Sequence, residues 1–170
     1  MRTRRNALLA GIVFVVSCGG SPDTPQAGAG AQTGGGAEAA ACDILTATDV
    51  QAATGVAVQR IERGAAIGAG GTCVNFATSD GQAYLGVNRL SSAGEFSSSV
   101  GAVPKDIYPK QSPVPGLGEE AVLFSSPEGM RYLVARQGTS GVVLFPLGEG
   151  FKMTDQQLTD LAKQALAKAQ

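Results

Sequence analysis

Several apolar stretches of this chain are joined by connections too short for anything but a reversal of direction, and that limits the fold more than any other feature. Ser79-Asp-Gly-Gln82, Pro127-Glu-Gly129 and Gly138–Gly141 each separate two stretches rich in β-forming residues. Asp-Gly is a strong signal for a tight hairpin. A parallel crossover needs a dozen or more residues, so strands joined this closely pair antiparallel. The strand-like stretches are Val56–Ile61, Thr72–Ala77, Ala83–Leu90, Ala121–Phe124, Met130–Arg136 and Val142–Phe145. Gly64–Gly71 lacks the Lys-Ser/Thr ending of a phosphate-binding loop and reads as a flexible hairpin connection.

Three segments carry helical signals. Ala47–Thr54 follows Thr46, a candidate N-cap with Asp49 at N3, and stops at Gly55. Phe96, Val100 and Val103 recur at spacings of four and three behind Ser92, which predicts a loose helix ended by Pro104. Thr154 and Gln157 make a capping-box start, and Leu158, Leu161, Ala162, Ala165, Leu166 and Ala169 follow a 3.6-residue period. Lys105–Gly118 holds Pro109, Pro113 and Pro115 and reads as an extended loop. The order is therefore helix, three strands, helix, three strands, helix. The expected fold is α+β: a single antiparallel sheet of about six strands with helices packed on one face.

The amino terminus reads differently. Met1–Arg5 is basic, Ala7–Val16 carries no charge, and Ser17-Cys18-Gly19 follows. A basic start, an apolar run of about ten residues and small residues at the cut describe an export signal. The run is too short for a membrane-spanning helix, which needs roughly twenty residues. Its ending, Val15-Val-Ser-Cys18, resembles a bacterial lipobox. The resemblance implies a signal peptide over residues 1–17, diacylglyceryl attachment at Cys18, cleavage before it and acylation of the new amino terminus. Gly19 next to the lipidated cysteine implies the outer membrane in a cell with two membranes and the cell membrane otherwise, the chain facing periplasm or exterior. Gly19–Ala41 contains no large apolar residue and only Asp23 and Glu38 as charges. Such a segment cannot offset its ordering entropy by burial and reads as a tether spanning roughly 25–30 Å, with the globular domain over 42–170.

Loss of Arg2, Arg4 and Arg5 with the leader would leave ten basic against fourteen acidic side chains. A mature chain near −4 has no electrostatic drive toward nucleic acid or anionic lipid heads. Membrane association would then come from the acyl chains on Cys18.

Cys42 and Cys73 remain. In an oxidising compartment paired thiols become disulfides. A bond between them would close a loop of about 32 residues, a stabilisation of roughly 3.7 kcal/mol in the chain-entropy model. A metal site would need further ligands nearby, and a catalytic dithiol would need Cys-x-x-Cys.

Cys42-x-x-Leu45-Thr46, Val50, Gly55, Cys73 ahead of Phe76, and Pro115-Gly-Leu-Gly-Glu-Glu-Ala121 occur in this order. The pattern resembles small secreted lipoproteins of actinobacterial type whose globular part is a domain of unknown function. It implies an α+β fold with a Cys42–Cys73 bridge, and it brings no catalytic residue, cofactor or metal.

The chemistry open to the chain is narrow. Histidine is absent, which removes the Ser-His-Asp triad, the commonest general base and the commonest metal ligand. Tryptophan is absent too, which excludes a sugar site built on stacked indoles. Lys105, Lys110, Lys152, Lys163 and Lys168 lie in expected loops or on the wet face of the last helix, away from a Ser–Lys arrangement. Glu119 and Glu120 are adjacent, and neighbours in a strand point to opposite faces, so they read as a solubilising strand start. Tyr132, Val134 and Arg136 share parity. A sheet face bearing Arg89, Tyr132 and Arg136 is a candidate for binding an anionic ligand or partner, against the plainer reading of a solvent-facing side. Two functional classes follow. One is a non-catalytic envelope lipoprotein that binds a protein or small ligand on its sheet or in the Lys105–Gly118 loop. The other is a hydrolase or transferase of a His-free kind.

Overall fold

The computed structural model describes residues 43–61 and 74–170. All belong to one unit of the chain, Gln32–Gln170. The lipobox, the tether, the Gly64–Gly71 connection and Cys18, Cys42 and Cys73, with the lipid and disulfide expectations that rest on them, lie outside the described residues.

The elements run α1 (Ala47–Thr54), β1 (Val58–Ile61), β2 (Val74–Thr78), β3 (Ala83–Leu90), α2 (Ala93–Gly101), β4 (Lys110–Pro113), β5 (Glu120–Ser125), β6 (Arg131–Gln137), β7 (Ser140–Pro146), a 3-10 turn (Gly148–Lys152) and α3 (Asp155–Ala169). All strands among the described residues pair antiparallel in one seven-stranded sheet of order β1-β2-β3-β7-β6-β5-β4. The sheet is thus two meanders, β1–β3 and β4–β7, each laying its last strand at the centre. Their seam is the β3–β7 pair, from Leu85 opposite Pro146 to Leu90 opposite Gly141.

The α+β class and the single antiparallel sheet are as expected. The strand count is not. Residues 110–113, inside the stretch read as an extended loop, form edge strand β4 against β5. Prolines suit this strand because of where they fall. The Val114 amide donates to Ala121 O across the β4–β5 pair at 3.0 Å. By alternation Ser112 faces β5 as well, while Gln111 and Pro113 turn their backbone outward. Proline, which has no N–H to give, costs nothing in a ladder position that faces away from the neighbouring strand.

The expectation of helices on one face also needs correction. One face of the sheet, face one, carries Phe76, Leu85, Val87, Leu123, Leu133, Ala135, Val142 and Leu144 and packs against α1 and α3. The opposite face, face two, carries Leu90, Phe124, Val134, Val143 and Phe145 and packs against Phe96 of α2 and Val103. The reason is visible in the central strands. Val142-Val-Leu-Phe145 is buried at every position, and a continuous apolar run rather than an alternating one marks a strand covered on both sides.

Helix α3 is the main cover of face one. Its capping box is formed, with Thr154 Oγ1 accepting from the Gln157 amide and Gln157 Oε1 accepting from the Thr154 amide. Leu158, Leu161, Ala162, Ala165, Leu166 and Ala169 are all buried, and each fully buried leucine contributes about 1.5–3 kcal/mol. Two strand arginines on face one hold its ends. Arg131 Nε donates to Asp155 Oδ1 at 2.5 Å in the first turn. Arg89 donates to Ala169 O at 2.7 Å in the last turn, where the helix dipole favours a cation. Helix α1 lies alongside, its own capping box closed by Thr46 and Asp49 and its C-terminus ended by Gly55 at φ 76°. Lys168 of α3 donates to Asp49 Oδ2 at 2.7 Å and links the two helices.

A bulge interrupts β3. Phe76 lies opposite Leu85 and Ala77 opposite Ala83, so Tyr84 is the extra residue. The extra residue lets Tyr84 and Leu85 both pack in the face-one core.

Candidate functional site

On face two the cover is incomplete. Helix α2 is nine residues long and packs across β6, β7 and β3. Beyond Phe96 it leaves a groove of about 360 Å³ against the β4–β5 hairpin, whose walls include Pro113, Pro115 and Val122. An aromatic cluster lies beside it. The ring of Tyr132 sits 6.2 Å from each of Tyr108, Phe124 and Phe145. Phe145 in turn lies over Gly86, where a Cβ would come within 2.0 Å of its ring. Burial raises the Tyr108 and Tyr132 phenols above their usual range, Tyr132 further through its neighbour Tyr108.

The hairpin loop is built by the segment Pro115–Ala121, the same segment on which the family resemblance rests. Val114 O accepts from the Leu117 amide at 3.4 Å, closing a turn with Pro115 at its second position and Gly116, at φ 76°, at its third. Proline followed by a residue of positive φ is the pattern of a type II turn. Leu117 then drops into the face-one core. Gly118 has φ 64°, and a Cβ there would sit 2.2 Å from Arg136 O. Only glycine lets the loop come this close to β6.

That close approach assembles the charged rim. The Glu119 amide donates to Arg136 O at 2.9 Å. Arg136 Nη1 donates to Glu119 Oε2 and its Nε to Glu120 Oε2, both at 2.9 Å. Arg136 Nη1 also donates to Gly138 O at 3.1 Å, and the guanidinium lies 5.7 Å from the centre of the Phe96 ring, within cation–π range. The hydrogen bond from Arg136 holds the Glu120 carboxyl below the usual range, and the same bond raises the guanidinium further above its own. The Arg136 side chain is 19% exposed, Glu119 50% and Glu120 53%. What solvent meets first is carboxylate, with the guanidinium behind it. The adjacent glutamates therefore converge on one partner, contrary to their reading as neighbours on opposite faces. Glu119 precedes the regular strand, and the glycine at 118 redirects it.

The three residues expected on one binding face separate. Tyr132 and Arg136 share face two, but Tyr132 belongs to the aromatic cluster and Arg136 to the carboxylate rim. Arg89 is paired in register with Val142 and lies on face one, at the end of α3. Parity within a strand is legible in a sequence, whereas parity between strands depends on a register that is not. An anion approaching Arg136 meets two carboxylates first, so the arrangement disfavours the anionic ligand expected there. Among the lysines, Lys152, Lys163 and Lys168 form ion pairs with Glu149, Asp160 and Asp49.

A second cleft, of about 260 Å³, lies between the Tyr84 bulge and the 3-10 turn. Several of its polar groups are engaged locally. Thr54 Oγ1 donates to Val50 O, Thr78 Oγ1 to Gln82 O and to Asp80, Gln157 Oε1 accepts from Thr154, and Lys152 pairs with Glu149. Among the described residues no group of three or more His, Cys, Asp or Glu side chains is placed to hold a metal ion. No helix among them is long and apolar enough to cross a membrane.

Comparison with protein-family models, with curated proteins and with solved structures gave no match.

Proposed function

We propose that this chain is a lipid-anchored, non-catalytic binding module of the cell envelope, and that the groove between α2 and the β4–β5 hairpin is where it binds. The observation that carries the binding assignment is the union of apolar walls with a preformed charged rim. Phe96, Pro113 and Val122 line the groove, and Glu119, Glu120 and Arg136 are already locked together beside it. A concave apolar surface with a few fixed polar groups is the usual form of a binding site. The rim carboxylates are turned to a guanidinium rather than to a nucleophile, and the sequence contains no histidine, which favours recognition over turnover. The anchor assignment rests on the lipobox-like Val15-Val-Ser-Cys18 and the uncharged run before it.

The test uses the full chain expressed in a bacterial host, with a photo-cross-linking amino acid at Pro115 in the groove wall or at Gln51 on the exposed side of α1. Adducts are expected from position 115 and not from 51, and only in the membrane fraction. In a Cys18→Ala background the chain should leave that fraction. Equal adducts from the two positions would remove the groove assignment. Mass spectrometry finding an unacylated amino terminus would remove the anchor.

A further inference from the structure

Resting on that reading of the groove, we infer that its occupant is an extended peptide segment of a partner protein, carrying a lysine or arginine between apolar residues, whose cation settles against Glu119 and Glu120. Three observations point to it. The rim holds one guanidinium against two carboxylates and so keeps an excess negative charge, and the carboxylates are its most exposed members. The bonds to Arg136 run through Oε2 of each glutamate. The walls beside the rim are apolar or proline, with Phe96 from α2 and Pro113, Pro115 and Val122 from the hairpin. Apolar side chains flanking a single cation match that sequence of surfaces, and charge complementarity sets partner choice and encounter more than bulk affinity.

The edge of the sheet narrows the mode of docking. A peptide that added to the sheet would pair with the outward backbone of β4, but there Pro113 offers no N–H and Gln111 is its only outward companion within the strand. Main-chain addition is therefore weak, and recognition falls to side chains in the groove. The chain's own tether is a poor occupant. Residues 19–41 hold two acidic side chains and no basic one, so the rim repels it. A second copy is disfavoured in the same way, since the mature chain carries a net negative charge.

The experiment titrates the full-length chain in detergent micelles with labelled, capped heptapeptides bearing lysine, norleucine or glutamate between two valines, read by fluorescence anisotropy. Butylamine serves as the free cation. The lysine peptide is expected to bind about tenfold tighter than either counterpart, with the preference shrinking as salt rises. Glu119→Gln combined with Glu120→Gln should erase the preference while the chain still melts as a single cooperative unit. Glu119→Lys combined with Glu120→Lys should transfer it to the glutamate peptide, an exchange that misfolding cannot produce. Equal affinity for lysine and norleucine peptides, still sensitive to Val122→Arg, would overturn the cationic occupant and leave the groove reading standing. No binding of any peptide, with cross-links still formed at position 115, would overturn a peptide occupant alone. Loss of both would sink groove and occupant together. Saturable butylamine binding tighter than the lysine peptide would point to a free amine and also overturn the proposal.

Discussion

Face one and face two of the same sheet are finished in opposite ways. Face one is mostly aliphatic, sealed by the fifteen-residue α3 with α1 beside it, and both ends of α3 are held by strand arginines. Face two is richer in aromatic rings and covered by a nine-residue helix containing Gly94 and three consecutive serines. Glycine and serine are poor helix formers, and the helix is too short to cross the whole sheet. The groove lies at the end of this cover, between Phe96 and the β4–β5 hairpin. A sheet buried on both sides needs apolar strands at its centre, but only one side has to be complete for the domain to hold together. The side that is left incomplete is free to meet something else.

If the contrast is sound, truncation on face one costs most. Leu161→Ala should lose about 3 kcal/mol, within the usual 2–5 for a buried leucine, measured by urea denaturation. Val100→Ala on half-buried α2 should lose about 1 kcal/mol. Equal losses would break the comparison. Next in size, Gly118→Ala forces a Cβ onto Arg136 O at positive φ and should cost roughly 1–3 kcal/mol. It should also weaken cross-linking from position 115, because the rim moves with the loop.

Asp49 beside α3 and the two tyrosines of face two should respond to opposite extremes of pH. Burial raises the Asp49 carboxyl, but hydrogen bonds from Lys168 and the Thr46 amide outweigh it, and the net shift is downward from 3.8. The stability this gives is present above the unfolded value and is lost as pH falls below about 4 through the folded one. The Tyr108 and Tyr132 phenols are shifted upward from 10.0 by burial. Their contribution is intact below pH 10 and declines as pH rises from there toward the folded values. Thermal melts should show Lys168→Met flattening the acid limb and Tyr132→Phe flattening the alkaline limb. The reverse pairing would mean that these two groups do not carry the acid and alkaline limbs. The smallest effect is Lys168→Met at neutral pH. That pair is partly exposed, so the loss should be no more than about 0.5 kcal/mol.

Local signals were legible in the sequence and relational ones were not. Thr154, Gln157 and the six apolar positions of α3 carry their own period and cap, and the helix forms where they predict. Thr46 and Gly55 likewise mark both ends of α1. Strand β4 was hidden because three prolines in a short stretch read as loop, and only the pairing with β5 reveals that Pro113 faces outward. The second cover was hidden because Phe96, Val100 and Val103 show an apolar stripe but not which side of the sheet it meets. The unbroken apolar run at Val142–Phe145 was the available hint. In the site, Pro115–Ala121 stood out as a pattern, yet its purpose lies in a contact with Arg136 that no local spacing encodes. Arg89 and Arg136 look equivalent as strand arginines, and only register assigns one to a helix end and the other to the groove.

The seam between the meanders has a consequence for how the molecule comes into being. Leu85 and Pro146 meet across the middle of the sheet although about sixty residues separate them. Pairings of such long range are slow to form. Until β7 has emerged, β3 presents a bare edge, and until α3 follows, the aliphatic side of the sheet has no cover. A chain cut short before Thr154 would therefore accumulate as sticky, unfinished sheet rather than as a smaller working domain. The sheet is finished only when its last fifteen-residue helix arrives.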